Sequence, residues 1–236
     1  MINKLDGVVM GKHSARTTLF LCSFFLMHPV AAADRYSGFY AGLQAGYAHG
    51  DLHGENFNGA GLTGYTIDDT LHGGLVGGVA GFGKLLDRHV MVGLEADFES
   101  RGMKDGVFEK DEGIPVNSYR VDTRIRNGAS VRGRLGYTFN ADRTLAYVTG
   151  GYATTRIETR YTDIPSAIEE SHEKWYNGWT AGLGMEHYFS DQVSARAEYR
   201  YSDLGRKNVP ANLYANTYRM NYEDEQSARI GVMYHF

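Results

Sequence analysis

Proline is scarce, four in 236 residues, and cysteine is limited to Cys22. No apolar run approaches the 18 or more residues of a membrane-spanning helix, and no long stripe of period 3.6 is present. Excess positive charge is also missing: the formal net charge is −4, which leaves no overall electrostatic footprint for nucleic acid. These absences exclude a helical membrane protein, a disulfide scaffold and a general nucleic-acid binder. Glycine and tyrosine are abundant instead, at 30 and 17. Many glycines and aromatics with few prolines predict crowded β-strands.

Residues 1–33 read as a cleavable export signal. Lys4, Lys12 and Arg16 are followed by the apolar "TTLFLCSFFLMHPV" and by small residues at Ala31–Ala33. Cleavage is expected between Ala33 and Asp34. It would remove Cys22, so a domain over 34–236 would have no thiol chemistry.

Beyond residue 34 the dominant period is two. Six stretches show it clearly: "GFYAGLQAGYA", "HVMVGLEADFE", "ASVRGRLGYTF", "GWTAGLGMEHYF", "VSARAEYRYS" and the terminal "ARIGVMYHF". Two weaker ones, 73–84 and 144–155, read as strands from β propensity; in the first, Val76, Ala80 and Phe82 are expected to share the apolar face. The eight strands are joined alternately by tight turns (85–88, 140–143, 189–192) and by long links (about 49–70, 100–118, 158–174 and 203–221). In an up-and-down sheet the long links share one end and the short turns the other. Short inner turns with long outer loops are the pattern of outer-membrane barrels.

One face of these strands is apolar. The other carries Glu95, Asp97, Glu99, Glu186 and Glu198 with Arg132, Arg134, Arg196, Arg200 and Arg229. An apolar face turned to lipid and a paired ion network in the lumen is the simplest reading. An unpaired amide costs several kcal/mol in hydrocarbon, so the sheet must close, with the first strand pairing the last. Eight strands leave an interior just wide enough for side chains to fill, so the network should plug it. Tyr36, Phe39, Phe139, Trp175, Trp179, Phe189, Tyr201 and Phe236 are expected in the interfacial aromatic belts. The fold expected is therefore an all-β, eight-stranded, antiparallel transmembrane barrel with short periplasmic turns and four long extracellular loops.

Taken in order, "SGFYAGLQAGY", "VGLEADFES", "SVRGRLGYTF", "LAYVTGGYA", "NGWTAGLGMEHYFSDQVSARAEYRYSDLG" and "ARIGVMYHF" resemble the small outer-membrane β-barrel proteins of Gram-negative bacteria, the surface-antigen and hemin-binding "porin family" group, with the architecture of the OmpA membrane domain. The resemblance implies location in the outer membrane and contact with its lipid and lipopolysaccharide. It implies that Ile230, Val232, Tyr234 and Phe236 form the signal read by the barrel assembly machinery. It also implies a structural or surface-interaction role in envelope integrity, adhesion or antigenicity, through a host or surface ligand of the loops. The alternatives are a small-solute channel and a hemin-binding surface protein.

No cofactor, metal site or enzyme activity is expected. His49 and His53, with His72 nearby, are the candidates for a hemin ligand, but a four-residue spacing aligns two ligands only on a helix. His187 with Ser190, and Ser171 with His172, are the candidates for an acyl-transfer dyad, but sequence neighbours on a strand point to opposite faces.

Overall fold

The computed structural model describes residues 35–58, 60–211 and 216–236. The export signal, its cleavage position at Ala33–Asp34, and Cys22 lie outside these. The described residues form β1 (Gly38–Asn58), β2 (Gly61–Leu85), β3 (Val90–Asp111), β4 (Ile114–Phe139), β5 (Thr144–Asp163), β6 (Ile168–Tyr188), β7 (Val193–Asp203), β8 (Arg206–Ala211) and β9 (Asn216–His235). Each strand pairs antiparallel with the next up to β7; β7 and β8 both pair with β9, and β9 pairs back onto β1. β7 and β8 are one stave interrupted at Leu204–Gly205, so the barrel has eight staves and closes, as the sequence predicts.

In the inner half the faces fall as expected. Leu43, Val76, Leu94, Val131, Leu183 and Ile230 are between 51% and 72% exposed, while Glu95, Arg132, Glu186 and Arg196 are 4% exposed or less. From Phe139 to Ala129, β4 runs about 33 Å, or about 25 Å in height at a tilt of about 40°. That is the thickness of an outer-membrane apolar band. Phe39, Phe82, Tyr137, Phe139, Phe189, Tyr234 and Phe236 are exposed near the inner rim, and Tyr47, Phe98, Tyr152, Trp179 and Tyr199 near the outer one, where Tyr201 is half-buried.

Three expectations need correction. The long links are not loops. Their residues continue the strands, which reach 20–26 residues in β1 to β6 and β9, and the outer turns are only a few residues long. Tyr36 is 5% exposed and belongs to the lumen, where its hydroxyl donates to the carbonyls of Arg143 and Glu186. Trp175 is exposed but lies four residues beyond Trp179, opposite Arg156, in the outer half.

The outer half is a second storey with reversed polarity. Leu52, Ile67, Leu71, Met103, Val121, Ile125, Ile157, Tyr161, Tyr176, Val209, Tyr218, Met220 and Tyr222 fill its interior. Asp51, Asp68, Lys104, Arg124, Arg126, Arg160 and Glu173 are on or near its outer surface. This is the arrangement of a water-soluble barrel, standing about 30 Å above the membrane if strands of this length keep the same tilt.

In β4 and β9 a β-bulge makes the reversal. Apolar residues keep one parity along β4 (Val121, Ile125, Ala129, Val131, Leu135), yet Val121 and Ile125 face in while Val131 and Leu135 face out. The pairing with β5 slips between Ile125↔Ile157 and Asn127↔Arg156, so Arg126 and Asn127 together oppose one residue. The extra residue turns the following side chains to the other face. β9 does the same between Glu223 and Gln226, where Asp224 has φ 58°. The outer storey is less completely laddered: β2 and β3 are unpaired between Thr66/Lys110 and Leu75/Arg101, and β6 pairs with β7 only up to Trp179/Asp203.

Candidate functional site: the lumen ion network

The inner lumen is built from inward positions of adjacent staves. Glu95 on β3 faces Arg132 on β4 directly, Glu186 on β6 faces Arg196 on β7, and Glu198 on β7 faces Arg229 on β9. The side chains then reach across the lumen. Arg132 donates to Asp97 and Glu198 at 2.8 Å each, and also to Glu95. Arg196 donates to Glu95 at 2.5 Å and to Gln44 at 2.7 Å. Arg134 donates to Glu186 at 2.8 Å and to the Tyr40 hydroxyl at 2.9 Å, and its guanidinium lies 3.9 Å from the centre of the Tyr147 ring. Arg200 bridges Glu198 at 2.8 Å and Asp97 at 3.2 Å. Arg229 donates to both oxygens of Glu99 at 2.9 and 3.1 Å.

All ten charged residues expected on this face (Glu95, Asp97, Glu99, Arg132, Arg134, Glu186, Arg196, Glu198, Arg200 and Arg229) line this one chamber. Two further charged members lie outside the stretches where alternation is clear: Arg101 donates to Glu99 at 3.1 Å and to Glu225 at 2.7 Å. Six arginines and six carboxylates thus face one another in balance. Tyr147 donates to Glu198 at 2.9 Å, Tyr40 to Glu95 at 2.9 Å and Ser130 to Asp97 at 2.8 Å. Buried charges need this density of partners, because an isolated one would be expelled or neutralised. Glycine makes the room. Gly151 lies opposite Arg132, and a Cβ there would sit 2.1 Å from the Val131 carbonyl.

Above this network, Tyr161 stacks on Tyr218 with ring centres 5.2 Å apart. Glu109 accepts from Asn56 at 3.3 Å and from Tyr218. Burial holds the Glu109 carboxyl above its usual range, and burial with Asp105 and Asp122 nearby lifts Asp69 to about 6. Both Asp69 oxygens are buried, and neither has a side-chain hydrogen-bond partner among the described residues.

The other candidates do not assemble. His49 and His53 are outward on β1, about 13 Å apart at the rise of a strand. His53 is held by Asp68 at 2.6 Å, and His49 faces His72 across the β1–β2 ladder. His187 contacts Thr144 at 2.9 Å, Ser190 accepts from the Val193 amide at 3.1 Å, Ser171 donates to Glu158, and His172 contacts Glu170. At the inner end a Ser194–His235–Glu186 trio does meet. Its His235 presents the same Nε2 to Ser194 and to Glu186, and Ser194 is fully buried, donating to Glu186 at 2.7 Å. A relay needs the two ring nitrogens to serve different partners, so this trio is a structural cluster. Among the described residues no group of three or more His, Cys, Asp or Glu side chains could hold a metal ion.

Ile230, Val232, Tyr234 and Phe236 are between 43% and 69% exposed on the outer wall, and the Phe236 amide donates to the Phe39 carbonyl at 3.0 Å, closing the barrel at its inner rim.

Comparison with known proteins agrees with this geometry. The family model for the outer membrane protein β-barrel domain matches residues 18–236. The 31 kDa outer-membrane immunogenic protein of Brucella melitensis is 31% identical over 171 residues, covering 71% of this chain and 69% of that protein. The 22 kDa outer membrane protein of Rhizobium leguminosarum is 28% identical, covering 86% and 80%. The outer membrane protease OmpT of Escherichia coli superposes with a TM-score of 0.52 at 9% identity over 87% of this chain and 99% of that one, a likeness of fold alone. The chain belongs to the outer membrane protein β-barrel domain family and is a protein of the bacterial outer membrane.

Proposed function

We propose that this protein is a sealed barrel with no conducting path and no enzymatic centre, serving as a structural and surface-interaction element whose outer storey is presented to the exterior. One observation carries this reading: the inward side chains are buried in both storeys, first in the balanced Arg–carboxylate network and then in the apolar core of the outer storey. A diffusion pore needs a continuous water-filled passage, and eight staves already leave little room. The relatives named immunogenic proteins favour an antigenic outer face.

Planar-bilayer recording tests the seal, with no steady openings expected; stable openings of porin size refute it. Exposure of the outer storey is tested with Ile114→Cys or Ile168→Cys, at hairpin ends that are 71% and 48% exposed. A membrane-impermeant maleimide should label both on intact cells. We further propose that residues 1–33 are removed on export, which the mass of the mature chain checks. The outward stripe ending at Phe236 is proposed as the assembly signal; Phe236→Ala should lower the folded fraction in the membrane without changing synthesis.

A further inference from the structure

The bulge that reverses the polarity of β4 has a second effect. Without it, Arg124 and Arg126 would continue the inward row of Ser130, Arg132 and Arg134; with it, they face outward. On β3, Lys104 lies directly opposite Arg124, both exposed. Like charges placed opposite across a ladder repel; among the described residues Lys104 makes no hydrogen bond or ion pair, and Arg124 has only the Glu158 carboxylate, directly opposite it on β5, as a charge neighbour of opposite sign. Arg126 pairs with Glu158 at 2.6 Å, leaving three cations against one carboxylate. These side chains border a cleft of about 400 Å³, with Ser100, Arg101, Gly102 and Asn127 completing its lining; the Arg101 guanidinium itself is turned to Glu99 and Glu225. Gly102 keeps it open: a Cβ there would have only the Gly74 carbonyl within ordinary contact, at 3.7 Å. The cleft lies immediately above the outward Phe98, Tyr152 and Val131, at the rim of the apolar band.

We infer that this cleft is a binding site for the phosphate group of an outer-leaflet lipid, with Lys104 and Arg124 holding the phosphate oxygens and the lipid's acyl chains lying along Phe98 and Val131. Its position supplies the chemistry. A cation pair in bulk water would be screened, whereas one at the headgroup level meets a dense layer of lipid anions. Guanidinium and ammonium donors suit phosphate oxygens through charge-assisted hydrogen bonds. The site goes beyond the sealed-barrel reading and does not depend on it.

The test uses the folded full barrel in detergent, with retained lipid counted by native mass spectrometry. The probes are diphosphorylated lipid A, the same lipid dephosphorylated, phosphatidylglycerol and inorganic phosphate. The phosphorylated lipids should bind about tenfold or more tighter than the dephosphorylated one and than inorganic phosphate, as expected for two charge-assisted bonds; the lipid A and phosphatidylglycerol arms show which lipid carries the group. Lys104→Gln/Arg124→Gln should bring retention down to the dephosphorylated level. Gly102→Leu, which fills the cleft and leaves the charges in place, should do the same. Lys84→Gln, at the opposite end of the barrel, should change nothing. Heat-modifiable gel mobility confirms that each variant is folded. Equal retention by wild type and the Lys104/Arg124 variant, equal binding of the dephosphorylated lipid, or inorganic phosphate binding as tightly as the lipids would each overturn the inference.

Discussion

Replacing Arg132 by methionine tests the lumen network most directly. The Arg132 side chain has no exposure to solvent and serves three carboxylates: Glu95, Asp97 and Glu198. Methionine keeps much of the volume and removes the charge. Each carboxylate retains at least one other cation: Arg196 at 2.5 Å and Arg134 at 3.6 Å for Glu95, Arg200 at 3.2 Å for Asp97 and Arg200 at 2.8 Å for Glu198. The loss should therefore fall near the lower end of the 3–5 kcal/mol typical for breaking a buried ion pair, about 3 kcal/mol. That corresponds to a roughly hundredfold change in the folding equilibrium constant. The assay is urea unfolding of the protein in lipid vesicles, followed by heat-modifiable mobility and by the fluorescence of Trp175 and Trp179, the two tryptophans of the chain. Arg156→Met is the control. It breaks an ion pair with Glu173 whose partners are 37% and 41% exposed, and should cost less than about 1 kcal/mol. In the double variant Arg132→Met/Glu198→Gln, part of the loss should return, because the second change removes one of the carboxylates left short of a partner. If Arg132→Met costs no more than Arg156→Met, the lumen is hydrated and the sealed chamber is refuted.

Other outcomes follow from the same geometry. Asp69→Asn should stabilise the protein at pH 7.5 by up to about 3 kcal/mol, because the native carboxyl, lifted to about 6, is costly to ionise in place. The gain should shrink as pH falls through 6 and vanish below about 4, where both native and unfolded Asp69 are protonated; a gain independent of pH would refute the assignment to Asp69. Gly151→Ala should abolish or severely slow folding, read as loss of the heat-modifiable band, since its Cβ would meet backbone at 2.1 Å. Deleting Asn127 leaves Arg126 alone opposite Arg156 and makes β4 regular through the junction, so cysteines at Ile125 and Val121 should stay inward and unreactive from outside while Arg124 stays outward; labelling at either position would show that the extra residue of the bulge is not there.

Much of the inner storey was legible because its two solvents, lipid and a charged chamber, differ so strongly that alternation is stark in "ASVRGRLGYTF" and "VSARAEYRYS". The outer storey was misread as loops. Its polar outer surface and scattered glycines resemble link composition, although "YRVDTRIR", "TRIETRYTD" and "TYRMNYED" also alternate, with Val121, Ile125, Ile157, Tyr161, Tyr218, Met220 and Tyr222 on one face. The signal was present; what it could not convey was the change of phase. Nothing in "RIRNGAS" marks Arg126 and Asn127 as a bulge, since any pair of residues can form one, and only the registers against β5 and β3 reveal it. Arg101 and Glu225 escape for the same reason: each lies just outside a stretch of clear alternation. Tyr36 was assigned to the belt because aromatics at strand ends usually meet the interface, and its inward turn depends on Tyr188, whose ring lies 4.9 Å away.

The two-storey construction constrains how such a surface can diversify. Hairpin tips lie far from lipid, so added length there leaves the anchored portion untouched. Facing alternates residue by residue, however, so growth of the outer staves must come in matched increments of two per strand, or else bring a fresh bulge to restore the phase. Variants lengthened by single odd insertions near the tips would turn greasy side chains toward water, and selection for solubility should leave them rare.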